Sequence, residues 1–127
     1  MDQHVAIFGA GSWGTALSVL LANAGHPVTL WARRAAAAAA MRHTRHNPTY
    51  LPDIEVPSSV RVTSDLSEAA AQADCWAIAT PSQAVRGVAK ALRSYTRSDL
   101  LVGSMATGIE NGSLETTTEV LNEVLAG

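Results

Sequence analysis

Gly9-Ala10-Gly11-Ser12-Trp13-Gly14 is the stretch of this chain best suited to chemistry. Its pattern, G-x-G-x-x-G, is weak by spacing alone. The context gives it meaning, because it directly follows the apolar run His4-Val5-Ala6-Ile7-Phe8 and opens a segment of helical periodicity. In such a turn the first glycine permits the reversal. The second lets backbone approach a pyrophosphate, and the third lets the helix pack closely on the strand. Exposed N–H groups at the helix start then meet the phosphate charge. Gly9, Gly11 and Gly14 therefore predict a dinucleotide-binding turn. A plain strand–helix turn would use the same glycines for conformation alone.

The end of the second strand gives an independent reading. An NAD site places Asp or Glu there, roughly 20 residues beyond the loop, on the ribose hydroxyls. This chain instead has Leu30-Trp31-Ala32-Arg33-Arg34. Arg33 and Arg34 can clamp a 2′-phosphate through their planar forks. As a merely solvated helix start they are less favourable, since cations near a helix N-terminus lack an anion to pair with. The residues favour NADP(H) over NAD(H).

Positioning these groups requires strands and helices in alternation. His4 to Phe8 is a short continuous apolar run stopped by glycine, as in a strand buried on both faces. Trp13 to Ala24 carries Ala16, Leu17, Leu20, Leu21 and Ala24 at helical spacing, with Gly25 as its C′ residue. Pro27 to Trp31 is a second strand, and Ala35 to about Arg45 a helix with an alanine run. Asn47 to Asp53 is a loop by its prolines. Val60 to Thr63 is a short strand, after which Ser64 or Asp65 caps a helix through Gln72. Cys75 to Ala79 is a buried strand, Pro81-Ser82 opens a helix, Leu100 to Gly103 is a fifth strand and Leu114 to Leu125 a last helix. This alternation predicts an α/β fold: a Rossmann-type doubly wound parallel sheet of five strands with flanking helices, forming one domain over residues 1–127.

Composition narrows the function classes. The 127 residues are 47% apolar and 16% charged, a globular rather than a disordered balance. Nine basic against eleven acidic side chains give a net charge of −2, without the basic face of a nucleic-acid binder. Cys75 is the only cysteine, so no disulfide forms within the chain. Its single cysteine, the lack of a basic start and the lack of a long apolar run fit a cytoplasmic protein without a membrane span. Cys75 reads as a packed small hydrophobe, and Trp31 and Trp76 as core. His43 and His46 lie three apart on one helical face but lack further ligands, so no metal is expected. Lys90 is the only lysine and falls mid-helix.

Several segments taken together resemble one family. They are Gly-Ala-Gly-Ser-Trp-Gly-Thr-Ala at 9–16, Leu-Trp-Ala-Arg-Arg at 30–34, Asn-Pro-Thr-Tyr-Leu-Pro at 47–52, Thr-Pro-Ser-Gln-Ala at 80–84 and Gly-Ile-Glu-Asn-Gly at 108–112. In this order they resemble the N-terminal domain of bacterial NAD(P)-dependent sn-glycerol-3-phosphate dehydrogenase. The glycine loop is shared with 6-phosphogluconate and hydroxyacyl-CoA dehydrogenases; the Asn-Pro-x-Tyr-Leu-Pro loop is the more specific feature. The resemblance implies an oxidoreductase that reduces dihydroxyacetone phosphate to sn-glycerol 3-phosphate for phospholipid synthesis. It implies that Ser12 and Trp13 touch the cofactor, that Arg33 and Arg34 hold its 2′-phosphate, that Tyr50 lies beside it, and that Pro81 and Ser82 line the nicotinamide side.

Two departures bear on catalysis. Thr107 stands where the family has a lysine that contacts cofactor and substrate, and a hydroxyl cannot supply that charge. The family's C-terminal helical substrate domain, with its general-base lysine, is absent from this chain. No catalytic residue is therefore expected within residues 1–127, and the chain by itself is expected to be inactive. The alternatives are a non-catalytic NADP(H)-binding module and a fragment that folds only as a homodimer, through the open edge of its fifth strand.

Overall fold

A computed structural model describes residues 3–105, 112–113 and 115–125, with Thr117 described by its backbone alone. Five strands form one parallel sheet: β1 (Val5–Phe8), β2 (Val28–Trp31), β3 (Arg61–Thr63), β4 (Cys75–Ile78) and β5 (Leu101–Ser104). Their order across the sheet is β3-β2-β1-β4-β5, that of the Rossmann half-sheet. The register aligns Val5 with Val28 on one side and with Cys75 on the other, and Cys75 with Leu101 beyond it. The chain runs outward from β1 through β2 to β3, then crosses back to β4. The topological switch point thus lies between β1 and β4.

Helices cover both faces: α1 (Ser12–Asn23), α2 (Ala35–Thr44), α3 (Leu66–Ala71), α4 (Val85–Leu92) and α5 (Thr117–Leu125). A 3₁₀ turn over Ser82–Ala84 leads into α4. Strand β1 shows why the apolar run is continuous. Val5 and Ile7 join one core with Val28, Leu30 and Val62, while Ala6 and Phe8 join the other with Trp76, Ile78, Leu92 and Val124. Alternation by two delivers successive residues to opposite faces, and both faces here are covered. Trp76 is fully buried. Its ring meets Phe8 edge-on at 5.7 Å, and its Nε1 donates to the Ala70 carbonyl at 3.3 Å. Phe8 also lies 6.2 Å from Trp31, whose Nε1 donates to the Ser64 carbonyl.

Local signals explain the ends of the elements. The Asp65 carboxylate accepts the Ser67 and Glu68 N–H groups and caps α3; the Ser67 hydroxyl and these N–H bonds hold its pKa below the usual carboxylate value. Gly25, at φ 95°, follows the end of α1. Strand β5 is an outer strand whose Leu101 is 58% exposed. Cys75 is half-buried beside the β1 core, and burial followed by the neighbouring Asp74 pushes its thiol pKa up, which keeps it protonated. Asp74 accepts the His4 N–H and pairs with Arg97, and Glu68 pairs with Arg61.

Two corrections apply to the sequence reading. His43 and His46 do not share a helical face, because Arg45 leaves α2 in the left-handed conformation at φ 58° and ends the helix before His46. His46 Nδ1 instead lies 3.0 Å from the Pro52 carbonyl. The last helix begins at Thr117; Leu114 lies outside the described residues.

Truncating the fully buried Trp76 to Ala should cost about 3–5 kcal/mol of unfolding free energy, whereas Trp13→Ala, 73% exposed, should stay within about 0.5 kcal/mol. Urea titration followed by circular dichroism checks both values. A Cβ at Gly14 would run into the Gly9 carbonyl oxygen. Gly14→Ala should therefore destabilise by roughly 2–3 kcal/mol in the same assay.

Candidate functional site

The glycine loop sits at the carboxyl end of β1, at the switch point, and three glycines do different work there. Gly9 has φ 128°, a conformation other residues avoid. A Cβ on it would lie 2.7 Å from the Ala79 carbonyl group and 2.8 Å from Thr80 N. Gly14 packs the first turn of α1 against Gly9. The fold itself thus requires glycine at both positions. Gly11 differs: its φ of −78° and ψ of −166° suit any residue, and a Cβ there would meet nothing within 4 Å. Protein packing gives no reason for its bare face.

Gly11 lines an open cleft of about 1640 Å³, larger than the roughly 300–1,000 Å³ that holds a drug-sized ligand. The cleft runs from Arg33 and Arg34 past the glycine loop to Pro81 and Ser82. It brings together Gly9, Gly11, Ser12, Trp13, Arg33, Arg34, Tyr50, Pro81 and Ser82. Gly14 lies behind its wall. Thr107 and Glu110 lie outside the described residues.

The electrostatics of the cleft favour an anion at two points. Helix α1 starts at Gly11 with no side-chain cap and no acidic residue in its first turn. Its first N–H groups consequently lack both intrahelical and side-chain acceptors. Helix α2 also starts uncapped and without an acid, and Arg34 is its N-cap residue. Arg42 donates to the Val62 carbonyl, and Arg45 to the carbonyls of Val56, Pro57 and Val60. Arg61, Arg86 and Arg97 pair with carboxylates. Arg33 and Arg34 have no partner among the described residues and are exposed at the cleft rim.

The loop after α2 folds over the glycine loop. Ser12 Oγ donates to the Tyr50 carbonyl at 3.1 Å, which leaves the Tyr50 side chain 56% exposed beside Trp13 at the cleft. Two lining residues went unnoticed among the sequence-level candidates. Asn47 is buried and bonded to the glycine loop. Thr80 is only 7% exposed and its Oγ1 has no hydrogen-bond partner among the described residues. A buried hydroxyl left unpaired costs free energy, so a polar ligand group suits this corner. The bare Gly11 face, the uncapped α1 start, the free guanidinium groups and the orphan Thr80 hydroxyl all fit an extended, phosphate-bearing nucleotide.

Known proteins agree with this geometry. A sequence-family profile described as "NAD-dependent glycerol-3-phosphate dehydrogenase N-terminus" matches residues 4–127. A glycerol-3-phosphate dehydrogenase [NAD(P)+] of Salinibacter ruber is 54% identical over 127 residues, covering 100% of this chain and 37% of the relative. One from Streptomyces coelicolor is 48% identical over 120 residues, covering 94% of this chain and 35% of the relative. The crystal structure of glycerol-3-phosphate dehydrogenase from Coxiella burnetii superposes with a TM-score of 0.92 at 28% identity, over 99% of this chain and 38% of that one. The chain therefore spans little more than a third of the proteins it matches. A five-stranded parallel sheet in Rossmann order, with a cleft at its switch point and a profile match over residues 4–127, places this chain in the family of NAD-dependent glycerol-3-phosphate dehydrogenase N-terminal domains.

Proposed function

We propose that the cleft binds a nicotinamide dinucleotide, NADPH in preference to NADH, as the cofactor half of an enzyme that reduces dihydroxyacetone phosphate to sn-glycerol 3-phosphate. The observation that carries the reading is Gly11, whose missing side chain no packing contact requires and which faces the cleft at an uncapped helix start. There a pyrophosphate can approach the backbone and meet the α1 dipole. Arg33 and Arg34 receive the 2′-phosphate at the α2 start, where their charge otherwise stands uncompensated. Pro81 and Ser82, at the carboxyl end of β4, flank the reacting ring.

When bound, the nicotinamide supplies the hydride that reduces the ketone carbon. The residues of this chain bind and orient. Trp13 and Tyr50 supply exposed aromatic surface at the cleft, and the glycine loop holds the ligand's centre. The alkoxide formed by reduction also needs a proton. We assign that donor to the helical domain that the family resemblance implies. The 127-residue chain alone is thus expected to bind cofactor without turning over substrate, and product formation by the purified chain would overturn that division of labour. Its place in phospholipid precursor synthesis follows from the same reaction.

Fluorescence titration of the chain should show NADPH binding at least tenfold tighter than NADH, about 1.4 kcal/mol. The double variant Arg33→Ser/Arg34→Ser should remove that preference by weakening NADPH and leaving NADH nearly unchanged. Equal affinities in the parent chain would overturn the 2′-phosphate assignment, and no binding of either nucleotide would overturn the cofactor reading. Gly11→Ala separates site from fold. Its unfolding free energy should fall by no more than about 1 kcal/mol, the cost of alanine at a helix N-cap, while NADPH affinity should fall tenfold or more.

A further inference from the structure

Asn47 is 5% exposed and sits where α2 has ended and the chain turns back over the glycine loop. Its carboxamide joins two separate pieces of backbone and one side-chain hydroxyl. Nδ2 donates to the Ala10 carbonyl at 2.7 Å and to Thr15 Oγ1 at 2.9 Å, and Oδ1 accepts the Tyr50 N–H at 3.3 Å. Its own carbonyl accepts the Leu51 N–H at 2.9 Å, which closes the 47–51 turn. The orientation of the amide is determined by its partners: Ala10 offers only an acceptor there and Tyr50 only a donor. Flipping the group would set carbonyl against carbonyl and N–H against N–H.

The Ala10 carbonyl belongs to the glycine loop itself. The peptide is planar, so holding this oxygen also fixes the direction of the Gly11 N–H. The bond to Thr15 ties the same side chain to the first turn of α1. The bond to Tyr50 sets the height of the covering loop, and Ser12 Oγ on the Tyr50 carbonyl completes the attachment. None of these bonds reaches Arg33 or Arg34.

We propose that Asn47 is the positioning residue of this cleft: its carboxamide holds the glycine loop and the Tyr50 loop in the relative geometry that receives a pyrophosphate. The proposal rests on the nucleotide reading above and adds to it a residue that acts through others. It makes the role local. Asn47 controls affinity for ligands that carry a pyrophosphate and not for those that engage only the arginine end.

The test compares NADPH with adenosine 2′-monophosphate, which has the 2′-phosphate and lacks the pyrophosphate. Asn47→Ala and Asn47→Asp in the 127-residue chain should each raise the NADPH Kd at least tenfold. Each should leave the adenosine 2′-monophosphate Kd, measured by calorimetry, within twofold. Asn47→Ser, uncharged and able to donate from its hydroxyl, carries the test with the same expected outcome if Asn47→Ala does not fold; Asn47→Asp keeps the side-chain volume but sets a carboxylate oxygen against the Ala10 carbonyl. The Asn47→Asp ratio of variant to parent Kd should persist at 1 M salt, where the Debye length is about 3 Å; a ratio that collapses there reports repulsion of the phosphates and overturns positioning. An unchanged NADPH Kd, or equal weakening of both ligands, also overturns the proposal while leaving the cofactor reading intact. Failure of the parent chain to bind NADPH overturns both.

Discussion

Backbone meets backbone at the switch point with no room for side chains, and the site depends on that contact. Gly9 lies against the Ala79–Thr80 peptide, and Gly14 lies against the Gly9 carbonyl. The first contact lets β1 and the segment after β4 separate into a cleft while still touching at its floor. The second brings the start of α1 down onto the sheet edge, so that its uncapped N–H groups stand at the cleft and not above it. Ordinary side chains at these two positions would lift the helix away. The wall of the cleft would then be made of Cβ atoms in place of amides.

Around that contact the two cores are arranged as the parallel pairing demands. Strand β1 pairs with β2 and β4 and contributes alternate residues to opposite faces. Any strand in this position must be apolar throughout. That is why five short strands were legible from sequence to within a residue or two, and why the alternation with helices led to a parallel, doubly wound sheet, whose strand order the structure supplies. The helix caps were legible to the same degree. Asp65 and Gly25 act through bonds to residues two to four positions away, a range that sequence spacing captures.

Long-range bonds were not legible. Asn47 reaches Ala10 across 37 positions, and nothing in the Asn-Pro-Thr-Tyr segment announces which backbone carbonyl its amide will find. Arg45 is a similar case. Its left-handed backbone and its bonds to the carbonyls of Val56, Pro57 and Val60 end α2 one residue before His46. Helical spacing alone could not exclude a shared face for His43 and His46. The orphan hydroxyl of Thr80 is the opposite kind of omission, since threonine at the end of a strand is unremarkable until its surroundings are seen to offer it nothing.

The placement of the arginines supports the proposed reading of the cleft as an anion site. Five of the eight arginines have their guanidinium groups bound by carbonyls or carboxylates of the fold, and the exposed Arg93, like Arg33 and Arg34, has no partner among the described residues. Arg33 and Arg34 stand at the start of α2, where the helix dipole opposes their charge, and no carboxylate among the first-turn residues relieves it. An acid at position 34, the N-cap, would have capped α2 and kept the sheet unchanged. Two cations without partners among the described residues, beside a second uncapped helix start, support the proposed anion site at this rim. The spacing between that rim and the bare backbone of Gly11 is bridged by a single continuous cleft. On the proposed reading, one ligand that carries its pyrophosphate and 2′-phosphate on a single ribose would engage both ends at once, which two separate small anions would do only at the entropic cost of ordering each independently.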